Sequence, residues 1–195
     1  MHMRDDTDLD AELDDSWRRP PGIFVIAEVE GALGQRIHEI QARVDPKLAR
    51  SLPPHITLVG SSGIGPFEPD YSASDLRAMI APICASTPPL VLPFDPPHRF
   101  PQTKVVVLPL RPHGPLRVLH DRLASCGLRA GRARHAFTPH VTLSFFKTLT
   151  REVERELLGL QFDEPLVISH LRCSLTDEPM PPRTLLELPL VGRDA

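Results

Sequence analysis

No apolar run in the chain reaches the roughly 18 residues that a membrane-crossing helix needs. The first residues are acidic, not a basic stretch leading into an apolar one, so no secretory signal is expected and the cytoplasm is the expected location. Cysteine is scarce. Cys84, Cys126 and Cys173 are far apart, with no pair at metal-ligand spacing, and read as small buried apolar residues in a reducing compartment. A strong excess of one charge is also lacking. The formal net charge is -3, and residues 1–19, with seven acids and three bases, account for more than all of it. Removing those from the totals of 25 acids and 22 bases leaves 18 acids and 19 bases, so bulk charge does not make the body a polyanion binder.

What is present is 195 residues with 41% hydrophobic content, enough for one good core or for two small lobes that share an interface. Proline is frequent, at 23 residues, which implies short elements ended by sharp connections. Residues 1–19 show almost no apolar periodicity and read as a disordered or loosely docked tail, closed by Pro20-Pro21-Gly22. Residues 20–195 are then expected to form a single domain.

Taken in order, Ile23 to Val29 suits a buried strand, and Leu33, Ile37, Ile40 and Val44 mark a helix ended by Asp45-Pro46. Lys47 to Leu52 reads as a connection, and His55 to Val59 as a strand entered through Pro53-Pro54. A loop at 61–66 leads to a helix from Ser74 or Asp75 to Ala85, which Pro82 should kink or shorten. Strands are expected at Leu90–Phe94 and Lys104–Leu110, with a turn-rich link over 95–99. A helix near 116–126, a basic loop, a strand from His140 to about Phe146, a helix over 152–160 and strands over 166–175 and 184–190 complete the chain.

One phrase occurs twice: Pro54-His55-Ile56-Thr57-Leu58 and Pro139-His140-Val141-Thr142-Leu143. In a strand, residues i and i+2 point the same way, so each copy sets an imidazole beside a hydroxyl on one face and apolar side chains on the other. Two imidazoles near neutral pH can give and take a proton in one step, and a hydroxyl beside each can donate to a charged oxygen such as a phosphate's. The echo extends further. Leu90-Val91-Leu92 matches Leu166-Val167-Ile168, Val107 to Leu110 matches Glu187 to Leu190, and the distance from strand to motif is similar in both halves. The chain reads as a duplicated unit of strand, helix, motif strand, helix and strands. Its class is α+β, bilobal, with two pseudo-symmetric α/β halves and mostly antiparallel sheets around a central cleft.

The doubled proline-preceded His-x-Thr-Leu, in a chain of this length, resembles the two-histidine (2H) phosphoesterase superfamily of 2′-5′ RNA ligase-like proteins and cyclic phosphodiesterases, over roughly residues 20–190. The resemblance implies a bilobal fold and chemistry that needs no metal or other cofactor. Its partner would be RNA or a nucleotide carrying a 2′,3′-cyclic phosphate or a 2′-5′ linkage. It implies His55 and His140 as the proton-transfer pair and Thr57 and Thr142 as phosphate binders. His140 is taken as base and His55 as acid, although the repeat itself does not separate them.

Around the motifs, Arg129, Arg132, Arg134 and His135 form a basic loop that could meet a phosphate or simply be solvated. Ser144 and Phe146 share the face of His140 by alternation, and Phe146 could stack on a base or pack in the core. Lys147 and Arg183 are further cations that could help neutralise phosphate. No membrane partner is expected, and a monomer is. A nucleotide- or RNA-binding module without useful turnover is the alternative reading. A metal hydrolase ranks low, because no His, Cys, Asp and Glu set has ligand spacing.

Overall fold

In a computed structural model, the structure describes residues 21–133, 135–145, 149–177 and 180–193. The acidic segment 1–19 lies outside the described residues, as do Arg134, Phe146 and Lys147. The described elements are β1 (Gly22–Glu28), α1 (Gly31–Val44), α2 (Pro46–Ser51), β2 (His55–Val59), α3 (Ala73–Ala85), β3 (Leu90–Leu92) and β4 (His98–Arg99). They continue with β5 (Val106–Pro109), α4 (Pro115–Ala124), β6 (His140–Ser144), α5 (Arg151–Leu158), β7 (Leu166–Ile168), β8 (His170–Thr176) and β9 (Arg183–Pro189). No described helix is long and apolar enough to cross a membrane.

Seven strands form one antiparallel sheet in the order β4-β5-β6-β2-β1-β8-β9, and β3 pairs with β7 in a second, two-stranded sheet. The sheet order is a palindrome about its centre. β2 answers β6, β1 answers β5 and β8 answers β4, leaving β9 as an extra edge strand. The two motif strands meet at that centre, paired through Ile56 and Val141. β3 and β7 obey the same twofold, since Leu90, Val91 and Leu92 pair with Ile168, Val167 and Leu166. The sequence match between 107–110 and 187–190 does not: the counterpart of β5 is β1, and β9 lies at the far edge.

The halves also exchange helices. α1 packs behind β6 and α4 behind β2, so each half supports the other half's motif strand. Apolar periodicity explains the packing: Leu33, Ile37, Ile40 and Val44 on α1, and Leu116, Leu119 and Leu123 on α4, are buried in one core with Ile56, Leu58, Val141 and Leu143. Polar pins add register. Gln41 Nε2 donates to the Thr142 carbonyl at 2.7 Å, and His120 Nδ1 lies 2.8 Å from the Leu58 carbonyl, so it carries the proton that bonds there. The His120 ring stacks on Phe137 at 3.8 Å between centroids. Gly63 makes room for it: at φ 74° it occupies a glycine-favouring conformation, and a Cβ there would lie 2.3 Å from His120 Nε2.

Four local expectations change. Asp45-Pro46 ends α1 but also starts α2, because the Asp45 side chain accepts from Leu48 N–H at 3.1 Å and Pro46 supplies a first-turn residue that needs no donor. Pro82 stays inside α3; Pro82 and Ala78, whose carbonyl loses its partner, are both exposed, so water can serve that oxygen. The expected link at 95–99 contains the short strand β4. The strand over 166–175 breaks at Ser169, and its two parts join different sheets.

Candidate active site

β2 and β6 have the same burial pattern, residue for residue. Ile56, Leu58, Val141 and Leu143 are fully buried, whereas His55, Thr57, His140 and Thr142 are half-buried on the opposite, open face. Antiparallel pairing of Ile56 with Val141, continued one residue either way, sets His55 opposite Thr142 and Thr57 opposite His140. Directly opposed side chains have Cβ atoms about 4.5–5.5 Å apart and diagonal ones about 7–8 Å, so the two imidazoles and two hydroxyls form one compact square. The pairing of β2 with β6 thus sets His55, Thr57, His140 and Thr142 next to one another.

Each imidazole is held the same way. His55 Nδ1 is 2.8 Å from the Pro53 carbonyl, and His140 Nδ1 is 2.7 Å from the Thr138 carbonyl, in both cases two residues back. A carbonyl only accepts, so each Nδ1 carries a proton and the neutral ring presents Nε2 as its basic nitrogen. Twin prolines before the motifs set this turn, because Pro54 and Pro139 keep Pro53 and Thr138 extended and their carbonyls aimed back at the rings.

The backbone of β6 is anchored from behind. The buried Asp45 carboxylate accepts from Phe145 N–H at 2.7 Å with one oxygen and from Leu48 N–H with the other. Ser144, expected on the His140 face, is fully buried, and its hydroxyl has no hydrogen-bond partner among the described residues.

The surroundings of the two histidines differ. The Phe100 ring meets His140 edge-on at 5.1 Å, and His98 in turn meets Phe100 at 5.5 Å. Beside His55, strand β1 presents Glu28 as its direct partner. Glu28 is ion-paired with Arg172 on β8, whose Nε donates to Glu187 on β9 at 2.7 Å. Burial raises the Glu28 carboxyl above the usual carboxylate range, with Arg172 pulling the other way and Glu187 and Glu30 adding to the rise. These three carboxylates, His170, Leu171 and Arg172 line a cavity of about 170 Å³.

None of Glu28, Arg172, Glu187, Phe100 or His98 stood out in the sequence. Alternation from Phe24 through Ile26 could have placed Glu28 on the open face, but only the pairing of β1 with β2 and β8 sets it between His55 and Arg172.

The basic loop is fastened to the loop after β2 by Gly65 N–H to the Gly131 carbonyl at 3.0 Å and Gly131 N–H to the Pro66 carbonyl at 2.8 Å. Arg132 is exposed there. Arg129 is exposed and ion-paired with Glu68, and its backbone N–H donates to the Tyr71 hydroxyl at 2.9 Å. His135 is exposed, and its carbonyl accepts from Gly63 N–H. Arg183 opens the outermost strand, opposite Leu175, and is exposed. Among the described residues no group of three or more His, Cys, Asp or Glu is placed to hold a metal ion.

Comparison with known proteins gives a consistent lineage. A protein of Geobacillus thermodenitrificans (strain NG80-2) whose name includes the word phosphoesterase is 33% identical over 94 residues, 47% of this chain; the match spans about half (51%) of that relative's length. The fold is similar to Escherichia coli LigT complexed with 3′-AMP (TM-score 0.54, 16% identity, 88% of this chain and 99% of that one). It is also similar to LigT complexed with NADP+ (TM-score 0.51, 18% identity, 89% of this chain and 99% of that one). The family model of the 2′-5′ RNA ligase superfamily matches residues 29–178, which include both motif strands, and the chain belongs to that superfamily.

Proposed function

We propose that the chain is a phosphoesterase that opens 2′,3′-cyclic or 2′-5′ phosphodiesters of RNA or nucleotides by paired histidine acid and base catalysis. The observation that carries the reading is the compact square of His55, Thr142, Thr57 and His140 on one open sheet face. Membership of the 2′-5′ RNA ligase superfamily and a fold shared with LigT, which has been seen with 3′-AMP, support the phosphoester class.

In this reading the substrate phosphate sits between the rings, with Thr57 and Thr142 hydroxyls donating to its non-bridging oxygens. One histidine Nε2 takes a proton from water as the water oxygen bonds to phosphorus. The P–O bond to the ribose oxygen breaks on the far side, and that oxygen takes the proton held by the other Nε2. The product is a phosphomonoester and a ribose hydroxyl, and the two histidines end with exchanged protonation states. Ligation would follow the same ring-opening path with a 5′-hydroxyl in the place of water, forming a 2′-5′ linkage and freeing the 3′-hydroxyl, and the reverse of that step would cleave the linkage. The proton transfers use side chains alone, so activity should survive chelation. Residues 20–195 act as one unit whose two halves, read as two lobes, contribute one histidine each.

The test is incubation with nucleoside 2′,3′-cyclic phosphates and with 2′-5′ linked dinucleotides in excess EDTA, resolving 2′- from 3′-monophosphate products. Turnover in EDTA is expected. Tight nucleotide binding with no product would instead favour a binding module, and loss of activity on chelation would point to a metal hydrolase.

A further inference from the structure

The near-perfect twofold of the motifs is broken at one pair of equivalent positions. Strand β1 faces β2, and its counterpart β5 faces β6. The residue of β1 opposite His55 is Glu28; the residue of β5 opposite His140 is Pro109. The other facing positions match in kind, Ile26 opposite Thr57 and Val107 opposite Thr142. One imidazole therefore has a carboxylate as its direct cross-strand neighbour, where the other has a proline and the edge of Phe100.

We propose that Glu28, steadied by Arg172, is a positioning residue that favours the doubly protonated form of His55 and so makes His55 the acid and His140 the base. This rests on the two-histidine reading above. The strand order supplies the electrostatics, since β1 lies between β2 and β8: the negative end of the Glu28–Arg172 pair is set against His55 and the positive end lies beyond it. Across the sheet from there, Glu187 holds the other side of Arg172, and Glu30 and His170 complete the rim. Three carboxylates against one guanidinium leave that side of the site negative, which favours a cation on the nearest imidazole. From β6, His55 is faced by Thr142, with His140 on the diagonal. The arrangement suits the reaction cycle, because the acid must begin charged and the base neutral.

The test is a ¹⁵N ring titration of the two histidines, assigned by loss of signal in His55→Ala and His140→Ala. In the wild-type protein the His55 ring is expected to keep its second proton to a pH about one unit higher than the His140 ring, the size of one unit charge at roughly 6 Å in a partly screened site. Glu28→Gln should lower the His55 midpoint by about one unit and leave that of His140 within a few tenths, and Glu28→Asp should restore most of the shift. With a cyclic phosphate substrate, Glu28→Gln should move the alkaline loss of kcat/KM down by the same amount. Equal midpoints in the wild type, the reverse order, or a His55 midpoint indifferent to Glu28→Gln would each overturn the proposal. The wild-type order decides even where a variant folds poorly. Because the titration needs no turnover, an inactive protein with the expected order would refute the enzymatic reading and leave the role of Glu28 standing.

Discussion

The junction between α1 and α2 offers a sharp test of how the second motif strand is held. Asp45 has no exposed surface; one carboxylate oxygen caps α2 through Leu48 N–H and the other receives Phe145 N–H, just past the end of β6. Removing the side chain in Asp45→Ala loses a helix cap worth about 1 kcal/mol and a charge-assisted bond worth about 1.5–3 kcal/mol, offset in part by relief of burying the carboxylate. The expected net loss is about 2–4 kcal/mol. For a protein of this size that lowers Tm by roughly 5–15 °C. Asp45→Asn separates the two contributions, since its carbonyl can still cap α2 but its amide would meet Phe145 N–H donor to donor; it should fall near the midpoint. The assay is thermal and urea unfolding of the three proteins, with hydrogen exchange at the Phe145 amide. Exchange there should quicken in both variants. If Asp45→Ala melts within about 2 °C of the wild type, the anchoring of β6 from behind is wrong.

Other outcomes follow from single groups. Thr142→Val removes a hydroxyl from the square at nearly constant volume, and kcat/KM on a cyclic phosphate should fall about tenfold, the equivalent of one hydrogen bond of about 1.4 kcal/mol, with Tm little changed. Burial lowers the pKa of His120 below its ordinary 6.5, with the Leu58 carbonyl and Asp121 opposing. The unfolded chain then binds the extra proton first, so wild-type stability should fall as pH drops below about 6.5 and level off once the folded-state value is passed; His120→Gln, keeping a donor for Leu58, should flatten that slope in urea melts. Burial pushes the thiol of Cys173 up to about 12 and that of Cys84 up to about 11. Neither should react with a thiol reagent at pH 8 until the protein unfolds, and a native-state reaction at either would contradict the packing.

The motif strands and their symmetry were legible because alternation and repetition are local signals: His55 and Thr57, then His140 and Thr142, needed only period two and a doubled phrase. The β3 and β7 match was legible for the same reason. Punctuation was harder to read. Asp45-Pro46 is a stop for one helix and a cap for the next, and Pro82 passes unharmed because its face is solvent. The match of β5 with β9 misled because similar four-residue strings need not occupy equivalent places in a sheet. What could not be read was the lateral neighbourhood. Glu28, Arg172 and Glu187 are far apart in sequence and meet only through the order β1-β8-β9, and Phe100 reaches His140 through a two-residue strand too short to show a period.

The central claim is that His55 and His140 act as one proton-transfer unit on one phosphorus centre. It is tested most directly by kcat on a nucleoside 2′,3′-cyclic phosphate for His55→Ala, His140→Ala and the double variant. Groups that act together are not additive, so each single substitution should cost at least about a hundredfold and the double should be hardly slower than the worse single. Losses that multiply in the double variant, or a single variant that keeps wild-type turnover, would contradict it.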